Sequence, residues 1–64
     1  MPQTDSPPHC ILELWATNRK VWVADPAEHE SIAAATAAAN ERGVYRIVLV
    51  NGDRRLEMDA FAIV

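Results

Sequence analysis

Asn51-Gly52 stands between two runs of alternating residues, "VYRIVLV" and "DRRLEMD". This dipeptide between alternating apolar positions is the strongest short hairpin signal, because both residues tolerate the left-handed backbone of a two-residue turn. Closing the turn on Asn51 and Gly52 sets a register: Val50 opposite Asp53, Val48 opposite Arg55, Ile47 opposite Leu56, Arg46 opposite Glu57, Tyr45 opposite Met58. One face then carries Tyr45, Ile47, Leu49, Leu56 and Met58, and the other Val44, Arg46, Val48, Arg55, Glu57 and Asp59. Arg46 and Glu57 form a cross-strand pair of opposite charge, contributing up to about 1 kcal/mol. After Met58 the alternation changes phase, and a bulge near Asp59-Ala60 accounts for it. "AFAIV" then extends the edge or docks on the helix.

A second hairpin precedes it. "CILELWA" (10–16) and "KVWVAD" (20–25) are rich in strand formers and are joined by "TNRK". A two-residue loop at Asn18-Arg19 sets Ala16 against Val21, Leu14 against Val23, and Trp15 against Trp22, the two tryptophans of the chain. A three-residue loop would shift the register by one and break the Trp pair.

Between the hairpins lies the helical stretch 24–43. Asp25-Pro26-Ala27-Glu28 has the form of a capping box with proline at the first helical position. Ser31 is the second candidate cap and the favoured one, because the apolar spacing opens at Ile32 and continues through Ala35 and Ala39. Seven of the eight residues 32–39 are Ile or Ala, so the helix can sit close to a sheet. Gly43 is expected as its left-handed cap, with Arg42 in the last turn. The expected architecture is α+β, ordered ββαββ. Two hairpins form one four-stranded sheet, with a single Ala-rich helix packed on one face.

Residues 1–9, "MPQTDSPPH", hold three of the four prolines and read as a disordered tail before a domain at 10–64. A core of that size supplies roughly 3–5 kcal/mol. One cysteine, Cys10, excludes an internal disulfide and suits a reducing compartment. The first residues lack the basic and apolar regions of a signal peptide, and apolar runs fall short of a membrane span. A cytoplasmic protein is expected.

The face away from the helix carries Ile11, Glu13, Trp15, Trp22, Val44, Arg46, Val48, Val50, Arg55 and Glu57. About half of it is apolar. Tryptophan and arginine concentrate at the energetic centres of interfaces, and large exposed apolar patches mark them. Ile11, Trp15, Trp22, Val44, Arg46, Val48 and Arg55 are therefore the candidate interface, for a homodimer or a protein partner. Two other readings compete: the tryptophans simply brace the hairpin, or they stack on a small molecule.

Residues of catalytic type do not combine into a recognisable site. His9 and Cys10 are neighbours in a strand and point to opposite faces. His29 lies between Glu28 and Glu30 and reads as a solvated side chain before the helix. No standard ligand spacing joins His9, Cys10 and His29 into a metal site. Two glycines give no phosphate-binding loop. Glu13, Glu57 and Asp59 read as ordinary surface partners of Arg46 and Arg55. No enzyme activity, cofactor, metal or small-molecule substrate is expected. The net charge of −3 argues against nucleic acid.

The strand–strand–helix outline of residues 10–43, with Trp22 ahead of an alanine-rich helix, is similar to the arm-binding domains of phage integrases and to many small bacterial and phage domains. The integrase likeness implies a sheet face that enters DNA through basic residues. Here Arg46 and Arg55 on that face are offset by Glu13 and Glu57. The expected function is a non-enzymatic interaction or homodimerisation module using the open sheet face. The alternative is a nucleic-acid-binding or regulatory accessory domain using Arg19, Lys20, Arg46, Arg54 and Arg55.

Overall fold

The computed structural model describes residues 7–64. The elements are β1 (His9–Ala16), β2 (Val21–Ala24), α1 (Ile32–Ala38), β3 (Gly43–Asn51) and β4 (Arg54–Ile63). They form one antiparallel sheet in the order β2-β1-β3-β4, with the helix on one face. This is the ββαββ arrangement expected. The tail expected over 1–9 falls mostly outside the described residues, and His9 already belongs to β1, opposite Val50.

The first hairpin has the expected register, with Trp15 opposite Trp22 and Leu14 opposite Val23. Its turn differs. The Ala16 carbonyl accepts from the N–H groups of Arg19 (3.1 Å) and Lys20 (2.7 Å), and Lys20 takes the left-handed position at φ 56°. The loop is therefore the four-residue Thr17–Lys20 connection and not a two-residue turn at Asn18-Arg19. The two-residue loop would close on Thr17–Lys20 and the four-residue loop closes on Ala16–Val21, the next pair of the same register, so the strand partners do not change.

The second hairpin corrects the expected pairing by two residues. Asn51 pairs with Arg54, Val50 with Arg55, Leu49 with Leu56 and Val48 with Glu57. Gly52 and Asp53 form the turn, with Gly52 alone in the left-handed region at φ 65°. A glycine at the first central position suffices when the second residue keeps an ordinary φ. The bulge also lies earlier than Asp59-Ala60. The register shifts between Ile47 and Val48, leaving Met58 as the extra residue between Glu57 and Asp59. Arg46 consequently faces Ala60, not Glu57, and Asp59 faces Ile47. The segment after the bulge, including Phe61 and Ile63, continues β4.

β2 is short because Pro26 has no N–H to donate. The Asp25 N–H still bonds the Leu12 carbonyl at 2.9 Å. The chain then turns, with Asp25 Oδ1 accepting from the Ala27 N–H at 2.9 Å, and returns to β1 at His29. His29 and Cys10 exchange two backbone bonds of 2.7 and 2.8 Å. Asp25 thus caps a turn, and Ser31 caps the helix: its hydroxyl accepts from the Ala34 N–H at 3.0 Å. The helix ends at Ala38, well before Gly43, and carries no basic residue in its last turn. Beyond it, the Tyr45 hydroxyl donates to the Glu41 carbonyl at 2.8 Å and accepts from the Glu41 N–H at 3.3 Å. That buried anchor holds the connection in a non-helical course, overriding alanine's propensity.

Cys10, Leu12, Ala35, Tyr45 and Ile47 form the buried core. Leu14, Leu49, Phe61 and Ile63 pack around it, and Tyr45 stacks on Phe61 with ring centres 5.4 Å apart. The helix packs mainly on β1 and β3, and Val21, Val23, Leu56 and Met58 remain exposed, as does Ile32 at the start of the helix.

Gly43 has a different role from the expected cap. It opens β3 at φ 153°, and a Cβ there would lie 2.6 Å from Leu14 Cδ1. Gly43→Ala should therefore cost about 1–3 kcal/mol through backbone strain and displacement of Leu14. A denaturation midpoint equal to that of the unsubstituted chain would contradict this.

Candidate interaction face

Alternation along β1 and β3 places Ile11, Glu13 and Trp15 beside Val44, Arg46 and Val48, on the side opposite the helix. Trp22 of β2 and Arg55 and Glu57 of β4 complete this face. The two tryptophan rings meet edge to face, 5.2 Å between centres and 62° between planes. The Arg46 guanidinium carbon lies 4.4 Å from the centre of the Trp22 ring, a cation–π arrangement.

Glu13 is the centre of the face. It sits opposite Arg46 in the ladder and its side chain is only 6% exposed. Arg46 Nε donates to Glu13 Oε1, and Arg55 Nη2 donates to Glu13 Oε2 at 2.8 Å. Arg46 also reaches Glu57, 3.7 Å between Nη1 and Oε1, although the two are not directly paired. Burial alone raises the Glu13 pKa. The hydrogen bonds and positive charges of Arg46 and Arg55 outweigh that effect and hold its carboxyl below the usual carboxylate range.

The candidate interface residues divide accordingly. Trp15, Trp22, Arg46 and Arg55 join one connected network around Glu13. Ile11 and Val48 are cross-strand partners, half-buried and buried respectively, while Val44 is 46% exposed. Val48 is thus floor and not contact surface. Glu13 is not the ordinary surface partner expected: it is buried and binds both arginines. Asp59 leaves the group altogether, because the bulge moves it opposite Ile47, and its Oδ1 accepts from the Ala60 N–H at 2.9 Å.

His29 also departs from expectation. Pairing with Cys10 draws it partly under cover, and its Nε2 is buried without a hydrogen-bond partner among the described residues. His9 Nε2 lies 3.6 Å from Glu28 Oε2. A cleft of about 230 Å³ opens between the helix end and β1–β2, floored by Leu14 and Val23 and rimmed by Asp25 and Glu41. Neither histidine lines it. Among the described residues no helix is long and apolar enough to cross a membrane.

Comparison with protein-family models, curated proteins and solved structures gives no match for this chain.

Proposed function

We propose that this chain is a non-enzymatic, cytoplasmic interaction module whose working surface is the helix-free sheet face, engaged by a protein partner or a second copy. The observation that carries the reading is the Trp15–Trp22–Arg46 stack, held in one geometry by Glu13. Tryptophan and arginine are the residues that most often dominate binding energy, and rigid anchors lose little entropy on association. The same geometry weighs against the nucleic-acid alternative. Arg46 and Arg55 are already engaged by Glu13, which reduces what they offer to phosphates.

Parallel capture with the unsubstituted chain and Trp15→Ala tests this. Retention of a protein partner should fall at least tenfold for the variant, with its circular dichroism preserved. Val21→Ala, exposed on the other face, should bind as the unsubstituted chain does. Equal capture by a folded Trp15→Ala would remove the basis of the proposal.

A further inference from the structure

We infer that β4 is an edge at which a second copy of this chain adds antiparallel, strand to strand, centred on Leu56. This goes beyond the face reading, because it uses the rim of the sheet and leaves the Trp15–Trp22 surface open.

The two edges of the sheet are unlike. β2 has four residues and stops before Pro26. β4 has ten residues, Arg54–Ile63, and among the described residues it is bonded to β3 on one side only. A free edge of that length presents a row of backbone donors and acceptors, a template for another strand. It also carries two of the large apolar side chains the helix fails to cover, Leu56 at 58% and Met58 at 44% exposure.

The charge pattern selects the occupant and the register. Two copies of one strand paired about a two-fold axis set each residue opposite its mirror position. Centring on Leu56 places Leu56 against Leu56 and opposes Arg55 to Glu57 in both directions. Centring on Arg55 or Glu57 sets identical charges face to face. Centring on Met58 opposes Glu57 to Asp59. Opposite charges across a strand pair stabilise it and like charges weaken it, so the segment "RRLEM" is self-complementary about Leu56, while Asp53 in the turn and Asp59 beyond the bulge, which would oppose each other, lie outside the paired run. Glu13 already bonds Arg55 from the inner side, so the partner's Glu57 would extend an existing network. The two-fold axis stands perpendicular to the sheet, so both helices lie on one side and both tryptophan faces on the other. The bulge at Met58 bends the strand beyond this segment, confining the pairing to a short run and making the association concentration-dependent.

The test is sedimentation equilibrium over a concentration series. The unsubstituted chain should rise from 7.1 kDa toward twice that mass. Leu56→Lys, at an exposed position, should remain folded by circular dichroism and weaken association at least tenfold. Leu56→Cys should form an intermolecular disulfide under mild oxidation, and Val23→Cys on the opposite edge should not. Trp15→Ala should dimerise like the unsubstituted chain, which separates this proposal from the face reading. The inference is overturned if the chain stays monomeric throughout, if Leu56→Lys associates normally, or if Trp15→Ala alone abolishes the dimer.

Discussion

Ile47→Ala is expected to leave the chain largely unfolded at 25 °C. Ile47 has no exposed surface and lies in β3, between β1 and β4. It stands opposite Leu12 and belongs to the core cluster that includes Ala35 of the helix. Replacing a fully buried isoleucine by alanine costs about 2–5 kcal/mol, from lost apolar transfer and the cavity left behind. A core of this size supplies roughly 3–5 kcal/mol in total, so the two quantities are comparable. Ile47→Val should cost only about 0.5–1.5 kcal/mol and keep a cooperative transition. Urea denaturation followed by circular dichroism distinguishes these outcomes. An alanine variant with an unchanged midpoint would mean that stability resides elsewhere than in the Cys10–Leu12–Ala35–Tyr45–Ile47 cluster.

Glu13→Gln is expected to have the next largest effect, about 2 kcal/mol. Hydrogen bonds to charged groups contribute roughly 1.5–3 kcal/mol each, and Glu13 makes two of them. The Arg55 side chain is 54% exposed, so solvent screens its share and the sum is reduced. The substitution also has a signature in pH. The folded state holds the Glu13 pKa below its ordinary value. Its contribution is therefore fully present above roughly pH 4.3, the unperturbed glutamate value, and is lost as pH falls through the folded pKa. Denaturation midpoints between neutral pH and about pH 3 should fall less steeply for Glu13→Gln than for the unsubstituted chain. Identical pH slopes would show that the carboxylate does not couple to folding through its arginines.

The face assignment was legible in the sequence because a strand alternates strictly. The Gly52-Asp53 turn displaces the expected register by two residues, and a shift of two returns each side chain before the bulge to its original face. Leu56 and Arg55 therefore lie where the pattern put them, although their partners are Leu49 and Val50 instead of Ile47 and Val48. Asp59 follows the bulge and was misplaced, because one extra residue inverts the phase. The Trp15–Trp22 pair was legible for a related reason: a two-residue loop and a four-residue loop centred on the same bond leave the strands in the same register. The burial of Glu13 was not legible. It depends on Arg46 and Arg55 arriving from two other strands, distant in sequence, and alternation reports direction without reporting cover. The helix end was hidden in the same way, since the Tyr45 hydroxyl that fixes Glu41 comes from the following strand. Propensity extended the helix, and tertiary contact ended it.

The two proposed surfaces are compatible. Pairing at β4 would set two tryptophan faces side by side on one side of a continuous sheet, and a partner with two matching sites would then gain from multivalency. The face remains the central claim, and covalent footprinting tests it most directly. Hydroxyl-radical labelling would be compared between the dilute purified chain and the chain in its native extract, recovered by affinity and read by mass spectrometry. Trp15, Trp22 and Val44 should be strongly protected in the extract, while Val21 and Val23 on the opposite face label equally in both. Equal labelling of the tryptophans in the two samples would contradict the assignment of this face as an interaction surface.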